Sequence, residues 1–232
     1  MEFNFLEEYK KWLEAEEEAE NKEKKKIEEE KTKNEKLEVT ENISNQKAEL
    51  GQKLIEVIDS YSGYCSEDQH LVIKEIKSLI DAGAELNIED QYGHTALMSA
   101  SQHYFDEVVE TLIKAGADVN YKNNSGETVL MYASVNACTE IVKKLIRAGA
   151  DVNIQNKYGY TALMFASSEN FIEIVKELLK AGADVDIKNE YGGTAFYMTS
   201  DYETKKLLEN SKKNSQQEKD FDFDEFDFEC KL

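Results

Sequence analysis

Apolar residues are thinly spread over the first fifty positions and then fall into short, dense runs separated by polar turns that contain glycine. In the segment that follows Thr95, Leu97 and Ala100 recur three apart, and after a brief interruption Val108, Val109, Leu112 and Ile113 follow at i, i+1, i+4 and i+5. Both spacings place apolar side chains on one face of a helix, so the segment predicts two short helices in succession. Thr95 stands where an N-cap is needed, since its hydroxyl can accept from an unpaired N–H of the first turn. Lys114 sits near the negative end of the second helix, and Gly116 can take the left-handed conformation that closes it. The "ADVN" phrase after that glycine, and the segment leading to the next threonine, predict an extended finger with a turn such as that from Asp90 to Gly93.

This unit returns at a fixed interval. Gly83, Gly116, Gly149 and Gly182 are 33 residues apart, and so are Gly93, Gly126, Gly159 and Gly192. Each glycine of the second series is followed two residues later by a threonine: Thr95, Thr128, Thr161 and Thr194. A single helix pair cannot bury its own apolar face, whereas stacked neighbours can, so the period predicts an all-α solenoid in which each repeat packs on the next. A bulky residue at Gly149 is expected to break both a helix cap and a close contact.

The repeated segments "GHTALMSA", "GETVLMYA", "GYTALMFA" and "GGTAFYMT" resemble ankyrin repeats, over about residues 51–211. The resemblance implies a stack of helix pairs with short finger turns. Clear repeats fall at about 89–121, 122–154 and 155–187, with divergent capping units over 51–88 and 188–211. The family's proline is replaced by Ala96, Val129, Ala162 and Ala195, and its histidine by Met98, Met131 and Met164. The glycine that the family carries between the two helices is replaced by Tyr104, Ala137, Asn170 and Glu203. The resemblance further implies a concave binding surface made of finger tips and the open side of the first helices. Carried over position by position, that surface holds Tyr92, His94, His103, Tyr158, Tyr160, Tyr191 and Tyr202 as candidate partner-binding residues. Tyrosine suits such a role because it buries a large area with a polar tip and little rotamer entropy. Tyr160 and Tyr202 are the preferred anchors, because Tyr92, Tyr158 and Tyr191 share one repeat position and could equally pack on one another.

Two appendages flank the repeats. Residues 1–50 are rich in Glu and Lys and have no sustained apolar seam, which predicts a charged helix or a disordered arm. Phe5, Leu6, Tyr9, Trp12 and Leu13 form one apolar stripe at its start. At the other end, residues 212–232 predict a disordered acidic tail in which Phe221, Phe223, Phe226 and Phe228 alternate with carboxylates. That pattern is typical of segments that dock into a groove, although an inert tail is the competing reading.

Charge narrows the partners. The chain carries 48 acidic against 28 basic residues, a net charge of −20. Such a field disfavours nucleic acid and anionic membrane surfaces and favours a neutral or basic protein partner. Cys65, Cys138 and Cys230 fit neither a disulfide framework nor a zinc ribbon, which points to a reducing, cytoplasmic setting, with secretion as an effector left open. The start has no secretory pattern, and no segment approaches the ~20 apolar residues of a membrane span. The three histidines, His70, His94 and His103, belong to no hydrolytic or metal-binding motif, and Cys138 reads as a small core residue. The expectation is therefore a non-catalytic, monomeric binding module with no cofactor and no metal, holding a protein in its groove. Two alternatives stand beside it: the Phe-rich tail or the N-terminal stripe is the binding element and the repeats a scaffold, or the chain is an effector or inhibitor of a host or competitor protein.

Overall fold

The computed structural model describes residues 5–61 and 69–213, with side chains at Lys22, 24–26, 28–61 and 71–213. The side chains of the Phe5–Leu13 stripe, the connection over 62–68 with Cys65, and the tail with Phe221, Phe223, Phe226, Phe228 and Cys230 lie outside the described residues. The chain divides into two units, residues 1–47 and 48–232.

The first unit is helical from Phe5 and is part of α1 (Phe5–Ser60). Glu and Lys are strong helix formers, and pairs such as Lys25 and Glu29, 3.9 Å apart, add slight support. Leu37, Val39 and Ile43 are all exposed.

In the second unit, the sequence opens the stack with a capping unit at about residue 51, but the helix there runs continuously from Phe5. No proline interrupts it, and Gly51 is carried inside it. A Cβ at Gly51 would collide with the carbonyl oxygen of Glu85, so this glycine lets the segment after α2 (Gln69–Asp81) approach the helix closely. The pairs that follow are α3 (Ala96–Gln102) with α4 (Asp106–Lys114), α5 (Val129–Val135) with α6 (Thr139–Arg147), and α7 (Ala162–Ser168) with α8 (Ile172–Lys180). The last is α9 (Ala195–Met198) with α10 (202–213). First helices pack on first helices in the order α3, α5, α7, α9, and second helices in the order α2, α4, α6, α8. The all-α repeat solenoid read from the sequence is the architecture found.

The core repeats with the sequence. Val109, Val142 and Val175 are 0% exposed, as are Leu112, Leu145 and Leu178 on the second helices and Ala100, Ala133 and Ala166 on the first. Each such Val or Leu contributes roughly 1.5–3 kcal/mol, and the alanines let adjacent first helices come close. Met98, Met131 and Met164 are also buried, so the position where the family has a polar histidine is apolar here.

The turns explain the repeat's punctuation and correct some of its details. Gly116, Gly149 and Gly182 have φ of 93°, 90° and 87° and close the second helices. A Cβ at Gly149 would meet nothing within 4 Å, so its role is the cap alone and the expected close contact is absent. The close contacts lie instead at the finger turns, where a Cβ on Gly159 would come 2.8 Å from the Asn189 Cα. Thr95 and Thr161 cap their helices through the side chain, accepting from the N–H of Met98 and Met164 at 3.4 and 3.3 Å. Thr128 and Thr194 make no side-chain cap; there the first turn closes on the threonine carbonyl, which accepts from Met131 and Tyr197 at 3.0 Å.

Between the helices, Tyr104, Ala137 and Asn170 adopt the left-handed conformation, with φ of 62°, 59° and 59°. The turn geometry is kept without the glycine that makes it easy. In the last repeat Glu203 does not follow them. Asp201 accepts the N–H of Thr204 at 2.7 Å and starts α10 early, after an α9 of only four residues.

Candidate functional site

The fingers are held from inside by one buried side chain each. The carboxylate of Asp90 accepts the N–H groups of Tyr92 and His94 at 2.8 and 2.7 Å. Asn123 does the same for Ser125 and Glu127 at 2.9 and 2.8 Å, and Asn156 for Tyr158 and Tyr160 at 3.0 and 2.9 Å. Asn189 serves Tyr191 and Gly193 at 3.0 and 2.8 Å. These side chains mimic a backbone turn and fix the tip outside it. Neighbouring fingers are also joined, since the N–H of Lys157 donates to Ser125 O and that of Glu190 to Tyr158 O, both at 3.0 Å.

At the tips stand Tyr92, Tyr158 and Tyr191, which are 73%, 55% and 79% exposed. Such exposure leaves the three rings facing outward and not covering one another. Each is an amphipathic group on a fixed backbone, so ordering it against a partner costs little further entropy.

Behind the tips the structure pairs residues that the sequence leaves separate. Tyr160 is half-buried and stacks on Phe165 of α7, centroids 5.6 Å apart with the planes at 28°. It is therefore part of the wall between finger and first helix, partly open to solvent. Five residues separate the two, and the same offset joins Glu127 to Tyr132, whose hydroxyl donates to Glu127 Oε2 at 2.9 Å. Burial first, and the neighbouring Glu127 second, hold the Tyr132 phenol protonated well above its ordinary range. Tyr202, the other preferred anchor, is 79% exposed at the start of α10.

The two histidines face different neighbours. The His94 ring lies edge-on to Tyr132 at 5.1 Å and 6.3 Å from Tyr92, with Nδ1 3.8 Å from Asp90. His103 turns to α1 instead, with Nε2 3.2 Å from Asp59 Oδ1, and its ring lies 5.9 Å from Phe105. Neither is a freely displayed side chain, at 21% and 24% exposed.

Sequence reading passed over Tyr132, which links His94 of one repeat to Glu127 of the next, and Tyr197 and Tyr104, 75% and 61% exposed. The signal for Tyr132 was present, because it holds the repeat position of Phe165, 33 residues on. Cys138 is 5% exposed and its thiol is pushed up to about 11 by burial, as befits a core residue rather than a nucleophile. Among the described residues no cluster of three or more potential metal ligands occurs. No described helix is long and apolar enough to cross a membrane. This arrangement offers exposed rings and carboxylates on a fixed backbone.

A family model described as ankyrin repeats, in three copies, matches residues 64–156 and 130–217. No curated protein matches the chain.

Proposed function

The chain belongs to the ankyrin-repeat family, and on that premise we propose that its finger tips and first helices hold a protein partner through the exposed Tyr92, Tyr158 and Tyr191. Repeats of this family are generally protein–protein interaction modules and typically non-catalytic. The observation that carries the finer reading is the three outward tyrosines at one shared position of the first, third and fourth fingers, with Ser125 in the second, each tyrosine set on a turn locked by Asp90, Asn156 or Asn189. A partner would lay apolar or cationic groups against the rings, while Tyr132, His94, Tyr160 and Phe165 form the wall behind them. The net charge of −20 steers a neutral or basic partner, with association slowed by salt. No residue of this surface is assigned a catalytic role, and no cofactor enters the reading.

Selection from a displayed peptide library against the full chain tests this reading. Enriched sequences should contain lysine or arginine and should be lost when Tyr92, Tyr158 and Tyr191 are all replaced by serine. Peptides that bind that variant equally well would overturn it.

A further inference from the structure

The last repeat presents surface that earlier repeats cover. Asn120 and Asn153 each grip the following repeat, but the equivalent residue of the last finger is Asp186, whose carboxylate is taken by Lys212 of α10. Beside it opens a cleft of about 540 Å³, floored by Val185, Phe196, Tyr197 and Leu208 and edged by Lys188 and Lys212 with Asp186 and Glu209. A volume of this order is what compact clefts for small ligands have, roughly 300–1,000 Å³. Leu208 is buried, Phe196 half-buried under Lys205 Nζ at 5.6 Å, and Tyr197 is 75% exposed.

Lysines gather at this end of the stack. From Lys188 to Lys213 there are five lysines against four acidic residues, in a chain where acidic residues outnumber basic ones 48 to 28. Lys188 is exposed and makes no ion pair among the described residues. The described chain also ends here: Phe221 lies eight residues beyond Lys213, within reach of about 26–29 Å for an extended segment.

We propose that residues 220–229, "DFDFDEFDFE", dock in cis on this cleft, with phenylalanines on Phe196, Tyr197 and Leu208 and carboxylates toward Lys188 and Lys205. None of the three tyrosines of the row lines this cleft. A tether this short gives the segment an effective concentration in the millimolar range, so that even a weak contact is populated. Repeat 122–154 has a similar balance, four basic against three acidic residues, but lies two repeats away, so the short tether together with the local lysines selects this end.

Hydrogen exchange of the full chain tests the proposal against a full-length variant carrying Phe221→Ala, Phe223→Ala, Phe226→Ala and Phe228→Ala. Amides of 185–198 and 204–212 should exchange roughly three- to tenfold faster in the variant, with 96–180 unchanged. Lys188→Glu should reproduce part of that loss, and Glu209→Lys, at an exposed lining position, should slow exchange further. Equal exchange in the two chains overturns the proposal. So does protection that grows with protein concentration, which would make a second copy the occupant, and so does a change confined to the finger tips. The Tyr92, Tyr158 and Tyr191 replacements should leave this protection intact, so failure of one reading is distinguishable from failure of the other.

Discussion

Asn153 holds Asp184 of the next repeat: its side-chain oxygen accepts the Asp184 N–H at 2.8 Å while its amide donates to Gly182 O at 3.2 Å. Asn120 does the same to Asp151 and Gly149 at 2.8 and 3.1 Å, and Asn87 accepts from Asp118 at 2.9 Å. The "ADVN" phrase is thus a ladder between repeats, and it supplies polar ties that buried Met98, Met131 and Met164 do not.

Asn153→Ala should lower stability by about 1 kcal/mol, because it removes two hydrogen bonds between repeats whose exposed partners, Asp184 N–H and Gly182 O, then turn to water. Asp186→Ala, at the end of the ladder, should cost less. Urea midpoints compare the two, and an equal loss would contradict the ladder as an interaction between repeats.

Ala137 sits at φ 59°, where a residue with a Cβ is disfavoured by roughly 1–2 kcal/mol. Ala137→Gly should therefore raise the melting temperature, against the usual direction for glycine. Asn170→Gly should gain less, since asparagine tolerates this conformation and its side chain accepts the Thr199 hydroxyl at 2.6 Å.

Gly149→Ala and Gly159→Ala separate two roles of glycine. Both positions have positive φ, 90° and 76°, but only the Cβ at Gly159 would meet the neighbouring finger. The Gly159 variant should lose more stability than the Gly149 variant, and thermal melts giving the reverse order would contradict the account of the finger contact.

The repeat, its helix pairs and its capping glycines were legible because local residue types fix them: threonine before a helix, glycine after one, apolar positions on one face. The buried Asp90, Asn123, Asn156 and Asn189 were legible only as turn residues, since their double acceptor role needs the folded finger. What the chain did not disclose depends on distant partners. His103 meets Asp59, 44 residues earlier, and Gly51 matters only because Glu85 lies against it. The stacking of Tyr160 on Phe165 was not legible, because nothing in its own finger shows that Phe165 turns toward it.

Acid should weaken the stack through the second helices. Bonds from Lys114 and then Lys144, at 2.6 and 3.4 Å, hold the Glu110 carboxyl below its ordinary value of 4.5. A folded-state value below the unfolded one gives stability that is present above about pH 4.5 and is lost as pH falls through the folded value. Glu110→Gln should flatten that part of the stability–pH curve, and an unchanged slope would contradict it.

Cys138 should resist alkylation. Burial lifts its thiol from 9.0 to about 11, so at pH 8 its thiolate is ~100-fold scarcer than that of an open thiol, and the thiol donates to Ser101 O at 3.4 Å. Mapping the labelled peptide by mass spectrometry should find Cys138 modified only under denaturing conditions; rapid labelling of the folded chain would contradict its place in the core.

The central claim is that the tyrosine row anchors a protein partner, and calorimetry of a library-selected peptide tests it most directly. Binding to the full chain should weaken by tenfold or more, ~1.4 kcal/mol at least, when Tyr92, Tyr158 and Tyr191 become serine, with the melting temperature unchanged. An affinity that survives all three replacements would show that the finger tips are not the recognition surface.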